Sequence, residues 1–490
     1  MYKLLIVILL LTAGCTAVGP DYNKPDLDPP KSWHQVSDPA LLPDKTKIRK
    51  WWTVFNDPTL NMLIQNATKQ NLDLKVAVAT VEEARAQLGV ARGDYLPSIT
   101  AEGSGTREES RGTQMNSDGI LDTYYSTGTD VSWELDLFGR IKRSVQAATA
   151  EFQATEEDRV DVMISLYAQV ASTYINVRTL QARLKTALEN IQSQKEILEL
   201  TKSRFKHGLA TDLDVAQAEQ VLANTKSEVP PLRIQLIEEK NNLSTLLGRP
   251  PSSLGKILKH SKPIPMPPDK ITTGVPADLL RQRPDLRGAE RRLAAQTARI
   301  GMTKAELYPI LSLTGNLNYK NTELHDMFVP GTRAFSFGPF LSWNIFNSGK
   351  IREQIKVEDA RARQALFIYE QTLLTALSEV EDAMTGYIEQ QTRLKALKDS
   401  VQASTRYLHL AEKLYKDGLS DFQNVLDAQR ELFLAEDNLD KAKGNSAQYI
   451  VTLYKALGGG WDPETRKSGV YAMEKKGKEK IEKTIKGDQG

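Results

Sequence analysis

The chain has 490 residues, a formal net charge of +2, 26% charged and 40% hydrophobic residues, a balance that argues against a nucleic-acid surface as its main business. Its mean hydropathy is −0.41. Beyond the N-terminus no apolar run reaches about 18 residues, which excludes a bundle of membrane-crossing helices but not a β-barrel, whose strands alternate.

The first segment reads as an export signal. Lys3 supplies a positive start, Leu4 to Leu11 an apolar stretch, and Thr12-Ala13-Gly14 a small-residue cleavage site before Cys15, the single cysteine. The Leu-Thr-Ala-Gly-Cys run resembles a bacterial lipobox, although Leu11 stands four residues before Cys15, where three is usual. The sequence therefore predicts a lipoprotein signal peptide over 1–14 and a lipid on Cys15. An ordinary signal peptide with an incidental cysteine is the alternative. Thr16 follows Cys15 where an Asp would favour retention in the inner membrane, so outer-membrane sorting is expected. A lone cysteine allows no intrachain disulfide, and none is expected.

The rest of the chain is a tandem duplication. Trp133, Gly139 and Ile141 recur 210 residues later as Trp343, Gly349 and Ile351. The same offset carries Gly208-Leu209 onto Gly418-Leu419, Val215 onto Val425 and Ala218 onto Ala428. Upstream the offset is 212, carrying Asp73-Leu74 onto Asp285-Leu286 and Pro97 onto Pro309, as a two-residue loop insertion would produce. These matches divide the chain into an N-terminal segment (15–58), a first repeat (59–247), a Pro-rich connector (248–275), a second repeat (276–460) and a polar tail (461–490), read as disordered.

In the first repeat a helix is predicted from about Leu60 to Arg92, stopping before Tyr95-Leu96-Pro97 because proline cannot continue it. Strands follow at Ser98–Arg107 and Asp122–Phe138, joined by a polar loop. After Gly139 a helical pattern runs to about His207, nearly 70 residues or roughly 100 Å. Its counterpart runs from Gly349 to Asp417, interrupted only by Gly386. Met163, Val170, Tyr174, Val177, Leu184, Ile191 and Leu198 keep a near-3.5-residue period. So do Leu373, Leu377, Val380, Met384, Ile388, Leu394, Leu397, Val401 and Leu408, and such seams pack as coiled coils. Gly208 and Gly418 end the long helices and a second helix returns after each, giving two antiparallel hairpins.

The strands alternate. Phe335, Phe337, Pro339, Leu341, Trp343 and Ile345 oppose Ala334, Ser336, Gly338, Phe340, Ser342 and Asn344. Leu311, Leu313, Leu317 and Tyr319 oppose Ser312, Thr314, Asn316, Asn318 and Lys320, and Val131, Trp133, Leu135 and Leu137 oppose Ser132, Glu134 and Asp136. A soluble sheet packed on helices would alternate too. In lipid, however, four strands leave open edges whose unpaired backbone groups cost several kcal/mol each. Three copies would supply twelve strands and close the barrel. The fold class expected is α plus membrane β, with four transmembrane strands per chain, long coiled-coil hairpins, and a trimer forming a 12-stranded barrel and an α-helical tunnel.

Four segments carry a family resemblance: Gly19-Pro20-Asp21-Tyr22, Trp133-Glu134-Leu135-Asp136-Leu137-Phe138-Gly139-Arg140, Arg281-Gln282-Arg283-Pro284-Asp285-Leu286 and Val425-Leu426-Asp427-Ala428-Gln429. From Cys15 to about Leu457 the chain resembles the TolC-like outer-membrane factor family, in its NodT-type lipoprotein branch. The resemblance implies a homotrimeric duct that meets a periplasmic adaptor and an inner-membrane transporter, exporting small molecules such as drugs or toxic compounds. It implies that the turns at Arg204–Thr211 and Lys413–Asp421 form the periplasmic tip, with Gly208, Leu209, Gly418 and Leu419 facing the adaptor. It also implies an acidic ring at Asp427, with Asp421 and Gln423 in the constriction. A solvated helix position is the plainer reading of Asp427, and Gln423 stands where some relatives carry an aliphatic gate residue. Ser132, Glu134, Asp136, Ser342 and Asn344 are the expected pore-lining strand positions. The flanks, 23–58 and 248–276, are expected against the outside of the tunnel.

No enzyme is indicated. The histidines, His34, His207, His260, His325 and His409, are far apart, and neither a zinc-protease motif, a phosphate loop nor Cys/His metal spacing occurs. Glu134 and Asp136 could mimic an acid/base pair, but pore polarity accounts for them better. No cofactor is expected beyond the lipid. The competing readings are an exit duct for secreted proteins and a lipid-anchored coiled-coil tether between envelope layers.

Overall fold

The computed structural model describes residues 17–34, 41–42, 49–110, 120–267, 271–272 and 282–461. The expected signal peptide, Cys15 and nearly all of the tail lie outside them. In chain order the elements are β1 (Leu41–Leu42), α1 (Pro58–Gln70), α2 (Leu72–Gly93), β2 (Ser98–Ser110), β3 (Ile120–Leu135), α3 (Arg140–Lys206) and α4 (Asp212–Leu246). Then come β4 (Ile271–Thr272), α5 (Pro284–Ala305), β5 (Ile310–Asn321), β6 (Arg333–Ser342), α6 (Lys350–Lys416) and α7 (Phe422–Ala456). Among the described residues no helix is long and apolar enough to cross a membrane. The chain divides into two compact units, described in turn.

The first unit gathers the strands with Thr80–Glu156, Gly288–Glu370 and the N-terminal segment to Asp26. Its sheet is antiparallel in the order β2-β3-β5-β6, so the two repeats meet at β3 and β5. β2 and β6 are the sheet edges among the described residues. The predicted strand ends need correction. β3 stops at Leu135 and β6 at Ser342, so Asp136 and Asn344 are not strand positions. Asp136 is drawn off because its carboxylate accepts the Ile141 N–H at 3.1 Å and the Lys142 N–H at 2.7 Å, capping the first turn of α3. Past β6 the Ile345 N–H turns back to the Trp343 carbonyl at 3.1 Å. The duplicated tryptophans do the same job: Trp133 donates its indole N–H to the Tyr95 carbonyl at 2.9 Å, and Trp343 to that of Leu307 at 3.1 Å.

The second unit holds Leu27–Ala79, Glu157–Arg287 and the chain from Gln371 on. The single helix expected from Leu60 to Arg92 is two helices, broken at Asn71. That side chain accepts the Leu74 N–H at 2.8 Å and donates to the Leu246 carbonyl at 3.0 Å, so it caps α2 and ties it to the end of α4. Upstream, Asp57 caps α1 by accepting the Thr59 and Leu60 N–H groups, with Pro58 at the first helical position, where its missing N–H costs nothing.

The two long helices, α3 and α6, have 67 residues each and end where the glycines place them. Val170, Tyr174, Val177, Val380 and Met384 are fully buried, as a coiled-coil seam requires, whereas Leu397, Val401 and Leu408 are only half-buried. Gly386 does not interrupt α6. The Tyr449 ring of α7 packs where its Cβ would be, so the residue is small because two helices approach there. The segment before α1 is held by its aromatic rings: Trp51 stacks on Tyr454 at 5.8 Å and Trp52 packs edge-on to Tyr167 at 4.9 Å. β1 pairs in parallel with β4, joining that segment to the connector.

Candidate functional site

Three places could serve a channel, and the sheet is the first. Cross-strand partners share a face, and the register puts Ile99, Val131, Trp133, Leu135, Leu311, Leu313, Leu317, Phe335, Phe337 and Leu341 on one side. That side is open, with Phe335 65% and Phe337 86% exposed. A soluble monomer rarely leaves so large an apolar face uncovered, and hydrocarbon is the solvent that suits it. Ser132, Glu134, Ser312, Thr314, Asn316 and Asn318 line the opposite side, which also carries the apolar Ile310 and Phe340. Of the predicted pore positions, Ser132 and Glu134 lie on this polar side within β3, and Ser342 is the last residue of β6. Glu134 is tied to Arg140 at 2.7 Å.

The hairpin turns form the second place. Gly208 has φ +72° and Gly418 φ +73°, a left-handed conformation that side chains resist. Each turn closes alike: Leu209 N–H donates to the Arg204 carbonyl and Gly208 N–H to that of Phe205, as Leu419 does to Leu414 and Gly418 to Tyr415. Leu209 and Leu419 consequently project as matched apolar residues, 66% and 74% exposed.

Beyond the turns the copies differ. Thr211 and Asp214 form a reciprocal capping box at the start of α4, but the Asp421 side chain makes no cap bond at the start of α7. Gln423 donates to Asp427 at 2.9 Å, one helical turn on, and Arg430 approaches the same carboxylate oxygen at 3.5 Å. The predicted constriction residues Gln423 and Asp427 are thus one hydrogen-bonded pair, with Asp421 at the helix start. Sequence reasoning missed Arg204, whose guanidinium lies 4.6 Å from the centre of the Tyr415 ring and donates to the Lys416 carbonyl at 3.1 Å, joining the two turns. No signal singled it out: at the repeat offset Arg204 corresponds to Leu414, one of several positions at which the two turns differ around their shared Lys, Gly and Leu.

A polar layer between α3 and α7 is the third place. Arg183 meets Asp437 at 2.7 Å, and Lys441 meets the other oxygen of that carboxylate at 2.6 Å. Thr186 donates to Asp440 at 3.0 Å and Asn190 to Glu436 at 2.9 Å. Burial alone would raise the Asp437 carboxyl, but Arg183 and Lys441 outweigh it and hold it below the usual range. Glu436 goes the other way, pushed up by burial although Asn190 partly offsets it.

The motif at residues 19–22 is held within the first unit. Arg143, nearly fully buried, pairs with Asp21 at 2.8 Å and donates to the Val18 carbonyl at 3.1 Å and the Gly19 carbonyl at 3.2 Å. Tyr22 donates to Glu290, and burial together with that carboxylate raises the phenol well above its ordinary pKa. Among the described residues one group of three metal-capable side chains occurs, Glu323, His325 and Asp326 in the β5–β6 loop.

An apolar-faced open sheet and two long hairpins with matched turns define a channel-forming outer-membrane subunit. Comparison with known proteins agrees. The sequence model of the family described as outer membrane efflux protein matches residues 63–249 and 275–459, once over each repeat. The chain is 32% identical over 478 residues to the toluene efflux pump outer membrane protein TtgC of Pseudomonas putida, covering 96% of this chain and 97% of that protein. It is also 32% identical to nodulation protein T of Rhizobium leguminosarum bv. trifolii, covering 93% and 96%. Among solved structures, the outer-membrane channel OprN superposes with a TM-score of 0.84 at 36% identity, covering 91% of this chain and 99% of that one. CusC gives 0.78 at 28%, covering 91% and 100%. The chain belongs to the outer membrane efflux protein family and is an outer-membrane efflux exit duct.

Proposed function

We propose that three copies of this chain form the exit duct of a tripartite pump, joined to a periplasmic adaptor and an inner-membrane transporter. The observation that carries this reading is the four-stranded sheet, apolar on one face and ending at β2 and β6. In lipid those edges need partners, and β2 of one copy against β6 of the next would close twelve strands around the polar face. Lipidation at Cys15 would anchor the mature N-terminus in the same membrane. Leu209 and Leu419 suit adaptor contacts, being apolar, exposed and held at equivalent turns. Asp427, with Gln423 beside it, would repeat three times around the axis as an acidic constriction favouring cations. The cargo proposed is small organic compounds, supported by relatives named for toluene, solvent and antibiotic efflux. A protein-secretion duct would use the same passive barrel, while a coiled-coil tether has no use for an exposed apolar sheet.

The test is the oligomeric mass of the purified protein in detergent, with single-channel conductance in a planar bilayer. A trimer with discrete conductance steps is expected. A folded monomer that does not conduct would replace this reading with the tether.

A further inference from the structure

The second unit carries a cleft of about 430 Å³ bounded by α3, α4 and the connector, apart from the sheet and the hairpin turns. Its apolar lining comes from Leu184 and Leu188, one turn apart on α3, and from Leu236 on α4. Lys240 of α4 and Lys259 of the connector supply its charge. Among the described residues no carboxylate pairs with either lysine. Glu189, which also lines the cleft, is engaged by Lys185 at 3.6 Å.

A third cation lies beside them. Arg178 is fully buried, and the acceptors of its hydrogen bonds are neutral: the Tyr174 hydroxyl at 3.0 Å, Gln181 Oε1 at 2.7 Å and the His260 carbonyl at 2.9 Å. Its Nη2 has no partner, and Asp57 is linked to it only through the Tyr174 hydroxyl. Burial, with the Arg178 charge added, lowers the pKa of Lys240. Neighbouring cations that lack a carboxylate partner are costly where they leave water, as the half-buried Lys240 and the fully buried Arg178 do, and a bound anion would relieve that cost.

We propose that this cleft binds amphiphilic anions, a carboxylate or phosphate head between Lys240 and Lys259 and a short hydrocarbon body over Leu184, Leu188 and Leu236. Charge-assisted hydrogen bonds from the two ammonium groups fix the head, and the leucines select for the tail. The site is independent of conduction, so it stands or falls apart from the duct.

The experiment is titration calorimetry of the full-length protein in nanodiscs of zwitterionic lipid, using hexanoate, hexyl phosphate and the neutral hexanamide. Saturable binding of hexanoate or hexyl phosphate is expected, with hexanamide weaker by about tenfold or more. Binding of hexanoate alone would identify free carboxylates as the source, hexyl phosphate alone lipid-type phosphates, and both the shared anionic head. The Lys240→Gln/Lys259→Gln double variant is expected to weaken binding by about tenfold or more, while Lys395→Gln, outside the cleft, leaves it unchanged. If the double variant does not assemble, Lys259→Gln alone, at an exposed position, carries the comparison. No saturable binding, equal binding of hexanamide, or undiminished binding in the lysine variants would overturn the proposal.

Discussion

Replacing Arg183 by alanine tests whether the polar layer clamps α3 to α7. The Arg183–Asp437 pair is 2.7 Å long, with side chains 19% and 16% exposed, so water screens it little. Removing the guanidinium leaves a half-buried carboxylate with Lys441 as its remaining cation, and the loss expected is about 2 kcal/mol, the scale of one charge-assisted hydrogen bond. The helical circular-dichroism melt of the assembled protein should fall by about 2–4 °C. Asp437→Asn should cost a similar amount, and the double variant should cost less than the sum of the singles, because both remove one interaction. The pH dependence has a definite sign. Asp437 is held below its unfolded pKa, so its stabilisation is present above about pH 4 and is lost as pH falls through the depressed value. Arg183→Ala should move that acid loss to higher pH. Additive melting shifts, or an acid limb unchanged in the variant, would refute the clamp.

Further outcomes follow from the same geometry. Burial holds the Glu436 carboxyl above its unfolded pKa, so its charged form weakens the fold as pH rises past the unfolded value, and Glu436→Gln should raise the melting point at neutral pH relative to pH 4. Gly418→Val places a β-branched residue at φ +73°, at a strain of about 1–2 kcal/mol, and should lower export and adaptor crosslinking together in a drug-susceptibility assay. Unchanged export would remove the turn from the adaptor contact. Asp427→Ala should reduce cation selectivity in planar-bilayer recordings, and unaltered reversal potentials would remove Asp427 from the constriction.

The parts of this protein that were legible in its sequence share one property: local chemistry dictates them. Period-2 alternation reported the sheet faces because neighbouring strand residues point to opposite sides. Gly208 and Gly418 reported the turns because a left-handed position strongly favours glycine, and the copy-to-copy match supplied the same reading twice. Asp136 was misread for the same reason in reverse: its alternation continues the strand, but backbone N–H groups of α3 compete for its carboxylate. Position 421 is the repeat counterpart of Thr211, but the Thr211 side chain caps its helix and the Asp421 side chain makes no cap bond.

By itself, the sequence determined the duplication, the two long helices, the alternating strands and the need for partners at the sheet edges, since each follows from spacing along the chain or from the backbone's demand for hydrogen bonds. Only the tertiary structure decided which residues meet across it. Arg183 and Asp437 stand 254 positions apart, and Asn71 breaks a helix in order to reach the Leu246 carbonyl 175 positions away. Arg204 finds the Tyr415 ring from the opposite hairpin, and Trp51, from the segment before α1, stacks on Tyr454. Such contacts leave no period in the sequence, because packing between distant helices is set by where whole elements come to rest and not by the residues beside each partner.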